Sequence, residues 1–347
     1  MIYAIILAGG VGSRFWPLSR KVLPKQFLKI IGKDTFFEAT IRRVEEIIPP
    51  GNIFIVTNRM YSSEIKKQSR KFKVHPENII LEPKPLNTLP AVAVCAQLIS
   101  LKDSHANLLV LPSDHYIKGR GFKEAMLKAL SLSEHGAICL SGIRPESPHP
   151  GYGYITTGPG IGRDGFRVES FKEKPDSKTL KRLFKKSGVF WNSGIFCFKA
   201  GVILSQIRSF TPGLYAQIIR IKQKKQIAKF WPKIKPISID YGIIQKSKRL
   251  VMVEAGFYWR DLGSWDALSS VLPKDSKNNV ILSDCISINS SNILVSAYGS
   301  KRLVAAIGLR DMIIVDTPDA VLVCKKENAQ DIKRLVELLR RKRKSCV

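Results

Sequence analysis

The stretch Leu7–Phe27, "LAGGVGSRFWPLSRKVLPKQF", gives the first information on both the fold and the chemistry of this chain. It follows the apolar run "IYAII", which predicts a buried strand, and it combines three glycines with two arginines and two lysines. Glycines lack a Cβ, so backbone N–H groups can approach phosphate oxygens closely. The neighbouring cations could then hold a triphosphate or a departing pyrophosphate. The stretch therefore predicts a phosphate-binding loop at the end of a strand.

Two better-known nucleotide loops do not fit this stretch. The chain contains no GxxxxGK[ST] string, and the GxGxxG pattern fails because Phe15 stands at its third glycine. The remaining pattern is Gly9, Gly10, Gly12 and Arg14. A tight strand–helix turn with surface cations is the competing interpretation. The ordered set of glycines, Arg14, "WPLS" and Lys25 favours the phosphate-binding interpretation.

The first 200 or so residues alternate between strand-like and helix-like segments. Continuously apolar strands such as "NIFIVT" and "NLLVLPSD" predict a parallel sheet that is covered on both faces, in an α/β fold. The segment "NTLPAVAVCAQLIS" predicts a helix with Thr88 as its N-cap. Ligands of such sheets collect at the carboxyl ends of the strands. From Gly151 the pattern becomes richer in strands.

The last 75 residues have a different pattern. Residues 273–279, "PKDSKNN", are typical of a linker, and short strand-like segments follow them. Val280, Ile286 and Ile293 recur at steps of six and seven residues, which weakly indicates β-helix-like coils. The end of the chain predicts an amphipathic helix. We therefore expect a catalytic domain over residues 1–270 and a small β-helix-like region with a terminal helix over residues 280–347.

Composition narrows the class of protein. The chain has 347 residues and 44% hydrophobic residues, which suits a large α/β domain with a smaller unit. It has no apolar run of 18 residues and no signal peptide, so we expect no membrane partner and a cytoplasmic location. The six cysteines, Cys346 among them, are scattered without a CxxC pair, which favours buried free thiols over a zinc or disulfide framework.

The formal net charge of +29 is the outlier of the composition. It would attract polyanions such as nucleic acid or phosphorylated metabolites. The basic runs, such as Lys66–Lys73 and Lys222–Lys235, show no common spacing. A solvated, lysine-rich surface is therefore favoured over a dedicated nucleic-acid site, and we expect no specific nucleic-acid partner.

The opening stretch resembles the signature of the sugar-1-phosphate nucleotidyltransferase family, and "FWPLSR…PKQF" is similar to its mannose-1-phosphate guanylyltransferase branch. Further family motifs recur in order through nearly the whole chain: "EPKPLNTLPA", "LPSDH", "GYGYI", "FKEKPD", "WNSGIF", "SIDYGI", "WRDLGSWDAL" and "IIVDTPDAVLVCKKENAQDIKRLV". Each motif is weak by itself, but their joint order is specific. The resemblance implies a Rossmann-like nucleotidyltransferase domain with a mixed, mostly parallel sheet, and the conversion of GTP and α-mannose 1-phosphate to GDP-mannose and pyrophosphate.

The resemblance also implies roles for individual residues. Arg14, Lys25 and Lys174 are the expected catalytic cations, and Asp114 and Asp261 are the expected Mg²⁺ ligands. Lys174 would also bind the sugar 1-phosphate, together with Gly153, Glu173 and Asn192. The expected nucleotide-binding residues are Leu7, Ala8, Gly9, Gly10, Gly12, Asn87, Thr88 and Ser113. The reaction needs no covalent intermediate, and the five histidines show no triad spacing, so a structural role is the expectation for His115.

One departure from the family bears on base selection. Leu86 and Leu89 stand where the family often has Arg-Asn-Thr-Ala-Pro, so a cation is missing beside the nucleotide. Some family members carry a fused isomerase domain, but we expect transferase activity alone here. The family also suggests a homodimer formed through the C-terminal region. Two alternatives stay open: a related nucleotidyltransferase for another sugar or nucleotide, and a non-catalytic regulatory or nucleic-acid-binding protein.

Overall fold

The computed structural model describes residues 1–10, 12–162 and 165–343, so Cys346 lies outside the described residues. The chain divides into two compact units. The first unit contains Met1–Gly9, Glu38–Ser113 and Ile117–Trp259, and the second contains Gly10–Phe37, Asp114–Tyr116 and the described residues of Arg260–Val347. The glycine-rich stretch therefore belongs mostly to the same unit as the C-terminal region.

The first unit is built on a nine-stranded mixed sheet, with the strand order β3-β2-β1-β4-β9-β6-β10-β8-β7. Strands β3, β2, β1 and β4 run parallel to one another, whereas β9 is antiparallel to both β4 and β6. The strands are β1 (Ile2–Leu7), β2 (Ile53–Asn58), β3 (Ile79–Glu82), β4 (Asn107–Pro112), β5 (His115–Lys118), β6 (Ile138–Ile143), β7 (Tyr154–Ile161), β8 (Gly165–Lys172), β9 (Val189–Lys199), β10 (Leu250–Glu254) and β11 (Tyr258–Asp261). Strands β5 and β11 pair with each other in a separate two-stranded sheet, and each includes residues assigned to the second unit.

Helices bury the central strands of this sheet. Strand β1 is buried along most of its length, and α3 is buried almost throughout, which explains why both segments are apolar without alternation. The helices outside the C-terminal region are α1 (Phe36–Glu45), α2 (Ser62–Arg70), α3 (Thr88–Ser100), α4 (Phe122–Ser133), α5 (Ser177–Phe184), α6 (Ala200–Phe210), α7 (Pro212–Ile218) and α8 (Ile227–Phe230). A π-helix spans Asp240–Ile244.

The second unit contains the β-helix-like region that the sequence predicted. Strands β12, β14 and β16 pair in parallel, β17 joins β16 in antiparallel orientation, and β13 pairs in parallel with β15. The elements are β12 (Val280–Ile281), β13 (Cys285–Ile288), β14 (Leu294–Ala297), β15 (Val304–Ile307), β16 (Met312–Asp316), β17 (Val321–Lys325), α9 (Trp265–Val271) and α10 (Ile332–Lys342). Short parallel strands linked by tight turns are what a β-helix-like fold requires.

Aromatic side chains anchor the glycine-rich stretch in the second unit. Phe15 is fully buried and its ring centroid lies 5.1 Å from that of Trp265. Trp265 Nε1 donates a hydrogen bond to the Trp16 carbonyl oxygen at 3.0 Å. The apolar cluster around them extends to Val280 and Ile332. The "FW" of the motif is therefore a packing anchor for the loop that precedes it.

Several expectations are corrected or completed by the structure. The mixed sheet that the family resemblance implied is confirmed, and the antiparallel strand β9 between β4 and β6 completes the parallel pattern expected from the apolar strands. Helix α3 begins at Thr88, so its N-cap is Asn87 and not Thr88. Of the five described cysteines, all free, three are buried and two are half-buried. Within the described part of the chain, no helix combines the length and apolar character that crossing a bilayer requires.

Candidate active site

The glycine-rich loop of the second unit is closed onto Lys25. Gly12 has a φ of 62°, and a Cβ at this position would lie 2.5 Å from Lys25 Cβ, so only glycine fits. Ser19 Oγ donates to the Gly12 carbonyl oxygen at 2.6 Å, and Gln26 Nε2 donates to that of Gly10 at 3.0 Å. The side chains that follow the glycines therefore hold the loop's backbone in place.

Lys25 forms ion pairs with the two aspartates that the family resemblance predicts to be metal ligands. Its ammonium group lies 3.1 Å from Asp114 Oδ2 and 3.6 Å from Asp261 Oδ1. Only 2% of the Lys25 side chain is exposed, whereas Asp114 and Asp261 are 36% and 37% exposed. Lys25 Nζ also lies over the rings of Phe15 and Phe36, at 5.7 and 5.5 Å from their centroids. The apolar surroundings strengthen both ion pairs, and the two carboxylates keep solvent-facing oxygens.

The charge around Asp114 keeps its carboxyl group ionised. Partial burial acts to raise the pKa of Asp114, but the charges of Lys25 and His115 and the hydrogen bond from Lys25 lower the pKa below its ordinary value. The predicted structural role of His115 thus has an electrostatic component. An ionised carboxylate beside a second one is the form that binds a divalent cation.

Arg14 is held by the C-terminal region. Its Nη1 donates to Gln330 Oε1 at 2.7 Å, and Gln330 Nε2 donates to Ser264 Oγ at 3.3 Å. A Cβ at Gly263 would lie 3.2 Å from Arg14 Nη2, so the guanidinium lies close against the Gly263 backbone. The Gly263 N–H donates in turn to the carbonyl oxygen of Asp261 at 2.9 Å. Gln330 therefore links Arg14 to the turn that follows Asp261.

The first unit carries the other nucleotide-binding candidates near the ends of β1 and β4. The Ser113 N–H donates to the Leu7 carbonyl oxygen at 3.0 Å, and Thr57 Oγ1 donates to that of Ala8 at 2.9 Å. Gly9 lies against Glu82, because a Cβ at Gly9 would be 3.0 Å from Glu82 Oε2. This close approach is a second reason for glycine in the motif.

Asn87 and Thr88 fix the start of α3. Asn87 has a φ of 71°, and its side chain accepts a hydrogen bond from the Thr88 N–H at 2.9 Å. Thr88 Oγ1 accepts from the Ile239 N–H at 2.9 Å. Both side chains therefore have structural partners in this structure. The left-handed backbone of Asn87 marks a turn that is held in place by its surroundings.

The expected sugar-binding residues of the first unit cluster around Gly153. A Cβ at Gly153 would lie 2.5 Å from Glu173 Oε2 and 3.3 Å from Asn192 Cβ. The Asn192 N–H donates to the Gly153 carbonyl oxygen at 2.8 Å, and its side-chain amide donates to Asp240 Oδ1 at 3.1 Å. The absence of a side chain at Gly153 thus leaves room for Glu173 and Asn192, and Asn192 in turn contacts Asp240. These carboxyl and amide groups are hydrogen-bond donors and acceptors suited to sugar hydroxyls.

Glu173 has an unusual protonation equilibrium. Burial and, to a smaller extent, the charge of Asp240 raise the pKa of Glu173 to about 7 against the opposing effect of Lys174. Lys174 Nζ lies 3.4 Å from Glu173 Oε1, and the lysine side chain is 58% exposed. Burial likewise raises the pKa of Asp240. Two desolvated carboxyl groups therefore lie beside one cation, Lys174, which is paired with Glu173 and remains accessible to solvent.

The pKa of Glu173 predicts a pH-dependent stability. An acid whose pKa is higher in the folded state favours folding at pH values below its unfolded pKa of about 4.3, and this contribution is lost as the pH rises to about 7. We expect Glu173→Gln to match the wild type near pH 4 and to exceed its free energy of unfolding by about 1–3 kcal/mol at pH 8. Urea unfolding across this range checks the result. Glu169→Gln, at an exposed site on β8, should show no such divergence, and parallel curves for Glu173→Gln would contradict the expectation.

Sequence reasoning missed four residues of these clusters: Glu82, Asp240, Gln245 and Gln330. Glu82 is buried, and burial raises the pKa of its carboxyl to about 7. Glu82 is the last residue of an apolar strand, and Asp114 follows the end of another by two residues. This similar position could have marked Glu82 as a candidate. Gln245 Oε1 accepts from the Glu173 N–H at 3.1 Å, and nothing in the local pattern marks it.

The donor set at Lys25 suits a divalent cation. Asp114 and Asp261 both contact one ammonium group and remain more than a third exposed. Among the described residues, no group of three or more His, Cys, Asp and Glu side chains could hold a metal ion. Two carboxylates are nevertheless sufficient for Mg²⁺, which usually completes its coordination with water and substrate phosphates. Oxygen donors without a thiolate or imidazole favour a hard cation.

The sequence and the fold match known proteins throughout. The family described as "Nucleotidyl transferase" matches residues 3–278. The chain belongs to the nucleotidyl transferase family. A second family, "MannoseP isomerase/GMP-like beta-helix domain", matches residues 283–339. The chain is therefore a nucleotidyl transferase with an appended β-helix-like domain, and it is an enzyme, so the alternative of a non-catalytic protein is wrong.

Named relatives place this nucleotidyl transferase in one branch of the family. It is 34% identical to the mannose-1-phosphate guanylyltransferase of Salmonella muenchen, over 97% of this chain and 73% of the relative. It is 34% identical to the mannose-1-phosphate guanylyltransferase of Klebsiella pneumoniae, over 99% of this chain and 75% of the relative. The crystal structure of mannose-1-phosphate geranyltransferase from Thermus thermophilus matches with a TM-score of 0.88 and 31% identity, over 98% of this chain and 99% of that one. Nucleotidyl transferases generally use a divalent metal ion.

Proposed function

We propose that this enzyme is a mannose-1-phosphate guanylyltransferase, which converts GTP and α-mannose 1-phosphate to GDP-mannose and pyrophosphate. The observation that carries the proposal is the arrangement of Lys25, Asp114 and Asp261, in a chain whose named relatives have this activity. In a nucleotidyl transfer between two anions, the sugar phosphate is the nucleophile, so the enzyme itself need not supply one. The enzyme must neutralise charge and position the substrates, and this cluster has groups suited to both tasks.

The second unit supplies groups suited to a triphosphate and a metal. Gly10 and Gly12 present backbone N–H groups, and Arg14 and Lys25 bring positive charge. Asp114 and Asp261 would hold Mg²⁺, which would neutralise charge on the phosphate oxygens. The expected nucleotide contacts of the first unit are Leu7, Ala8, Gly9, Asn87, Thr88 and Ser113.

The first unit also supplies groups suited to a sugar phosphate. Lys174 has an exposed ammonium group for the phosphate, and Glu173 and Asn192 surround Gly153 with acceptors and donors for hydroxyls. Asp240 joins this set through its hydrogen bond with Asn192. Sugars are recognised by such fixed polar groups, since each hydroxyl can both donate and accept a hydrogen bond.

The chemical step is a substitution at the α-phosphorus of GTP. An oxygen of the sugar phosphate forms the new bond to this phosphorus, and the bond from the α-phosphorus to the oxygen that bridges it to the β-phosphorus breaks. The bonding electron pair leaves with that oxygen, which becomes part of pyrophosphate. The nucleophile is already an anion at neutral pH, so the enzyme needs no general base. The contribution of Arg14 and Lys25 is to hold negative charge as it moves to the leaving group.

Glu82 supports guanine as the base. Glu82 is 5% exposed, and burial raises the pKa of its carboxyl group to about 7. A desolvated acceptor beside the Gly9 backbone favours a ligand that brings N–H donors. Guanine has two adjacent donors, N1–H and the N2 amino group, which one carboxylate can accept together. Adenine, cytosine and uracil do not offer this pair of donors.

A panel of substrates tests the proposal. Pyrophosphate release would be measured for GTP, ATP, UTP and dTTP, each with mannose 1-phosphate, glucose 1-phosphate and galactose 1-phosphate, with and without Mg²⁺. We expect the highest kcat/KM for GTP with mannose 1-phosphate and no turnover without a divalent ion. A higher kcat/KM for another pair would identify the related nucleotidyltransferase that the sequence left as an alternative. The homodimer and the cytoplasmic location stay predictions.

We expect Glu82→Gln to weaken discrimination between bases. The amide retains one acceptor and places a donor against the guanine amino group. The kcat/KM for GTP should therefore fall by about 10–100-fold, since a hydrogen bond to a charged group is worth about 1.5–3 kcal/mol. The kcat/KM for UTP should change much less. Glu77→Gln, at an exposed acid just before β3, is the matched control. An unchanged ratio of GTP to UTP would remove Glu82 from base recognition.

We expect Gln330 to act as a positioning residue for Arg14. Gln330→Leu removes the acceptor for Arg14 Nη1 and should lower kcat by about tenfold, since a typical hydrogen bond contributes about 1 kcal/mol. Gln330→Glu keeps an acceptor and should restore most of the activity. The melting temperature should barely change in either variant. Lys333→Leu, at an exposed position on α10, is the control, and an equal loss in that variant would refute the positioning role.

A further inference from the structure

The first unit contains a cavity of about 330 Å³ beside β3, the edge strand of the sheet. Four cations line it: Arg59, Lys66, Lys224 and Lys225. Its apolar and proline lining consists of Pro76, Ile79, Leu81, Pro83, Ile227 and Ala228. None of the candidate nucleotide, sugar or metal residues lines this cavity, so it is separate from the residues discussed above.

This cavity gathers two basic runs that looked unrelated in the sequence. Lys66 belongs to the run Lys66–Lys73, and Lys224 and Lys225 belong to the run Lys222–Lys235. Lys224 Nζ donates to the carbonyl oxygens of Pro76 and Glu77 at 3.3 and 2.8 Å, which fixes its run beside the start of β3. Folding therefore concentrates positive charge that the sequence scatters.

The cations of the cavity are poorly compensated. Burial lowers the pKa of Lys224, Glu77 raises it, and the charges of Lys66 and Lys102 lower it further. The ten lining residues include no acidic side chain, and Glu77 is the one carboxylate that acts on Lys224 among the described residues. A concave, partly apolar surface with one sign of charge focuses its field on an anion.

We propose that this cavity binds a phosphorylated small molecule that carries a flat ring, of the nucleoside diphosphate class, at a second site outside the catalytic machinery. The phosphates would contact the side chains of Arg59, Lys66 and Lys225. The ring would lie on Ile79, Leu81 and Ile227, which are half-buried or fully buried. A volume of about 330 Å³ lies within the range of small-molecule pockets. Pro83 lines the cavity and directly follows Glu82, so a bound ligand contacts the segment that leads to Asn87.

The stoichiometry of GDP binding tests this proposal. Calorimetry with GDP, at fixed ionic strength, should show two sites on the wild-type protein. Lys66→Glu combined with Lys225→Glu should weaken one site by at least tenfold and leave the other unchanged. Both lysines are exposed, so the variant should fold, and Lys66→Ser with Lys225→Ser gives the same test with a smaller charge change. Turnover with GTP and mannose 1-phosphate, measured separately, reports on the proposed function and not on this site.

Two controls distinguish a specific binding site from non-specific electrostatic attraction of anions. Lys181→Glu combined with Lys185→Glu makes the same change in net charge at exposed positions on or beside α5, and both GDP sites should survive. Pyrophosphate should bind the second site at least tenfold more weakly than GDP, because it lacks the ring. A single GDP site on the wild type, an equal loss in both double variants, or equal binding of pyrophosphate would each overturn the proposal.

Discussion

Lys25→Met should lower kcat by about 10²–10³-fold, which is the effect of removing one group that stabilises charge in a transition state. Lys25 is the most buried cation of the cluster, and it contacts Asp114, Asp261 and two aromatic rings. Methionine has nearly the same shape and keeps the Cβ against which Gly12 packs. The loss should therefore arise from the missing charge and not from a missing side chain. Steady-state kinetics with saturating GTP measure it.

The same change should alter the charge balance of the two aspartates. Without Lys25 the pKa of Asp114 should rise, because the charge and hydrogen bond that lower it are gone while burial remains. The acid limb of the pH–rate profile should move to higher pH. Lys21→Met, at an exposed cation in the same stretch, should leave turnover within twofold of the wild type. A Lys25→Met enzyme with wild-type kcat would show that this charge is not used in the reaction.

Asp261→Asn should raise the Mg²⁺ concentration needed for half-maximal activity and lower turnover at limiting Mg²⁺ by about 10²–10³-fold. The physical reason is that a bound divalent ion contributes several kcal/mol of charge stabilisation, and an amide is a weaker ligand than a carboxylate. The substitution also removes an ion pair, since Asp261 Oδ1 lies 3.6 Å from Lys25 Nζ. Removing its charge leaves Lys25 paired with Asp114 alone. Metal titrations of turnover, in the presence of both substrates, check the expected shift.

The control for the metal argument is a nearby acid outside the Lys25 cluster. Asp266 lies on α9, a few residues after Asp261, and is not part of the Lys25 cluster. Asp266→Asn should keep the wild-type metal titration. Excess Mg²⁺ should restore part of the activity of Asp261→Asn, because the site is weakened and Asp114 remains. An unaltered titration in Asp261→Asn would exclude it as a ligand.

Local chemistry made much of the fold predictable. The apolar runs at β1, β2 and β4 could be recognised as buried strands because their central residues are continuously apolar. The order of the motifs predicted the family, which the comparisons confirm. The antiparallel insertion of β9 was not predictable from strand patterns, since a buried strand has the same composition in either orientation. The N-cap of α3 was misplaced by one residue because both Asn and Thr are good caps.

The candidate site was likewise predictable only in part. The sequence identified Lys25, Asp114 and Asp261 as separate motif residues, and Asp240 and Gln330 lay inside recognised motifs without an assigned role. Their contacts depend on partners that local patterns do not encode. Lys25 meets Asp114 across 89 residues of chain, and Arg14 meets Gln330 across 316. Only packing decides which distant side chains share a hydrogen bond.

Local apolar patterning was enough to predict the buried strands, and the order of the motifs was enough to predict the family. The phosphate-binding role of the glycine-rich loop stays a prediction from the same local signals. Tertiary structure alone decided that the glycine-rich stretch is part of the C-terminal unit. It also decided that Lys25 is buried between two carboxylates, and that two distant basic runs line one cavity. Burial and charge pairing depend on residues far apart in the chain, and these two quantities set the protonation and the binding capacity of each group.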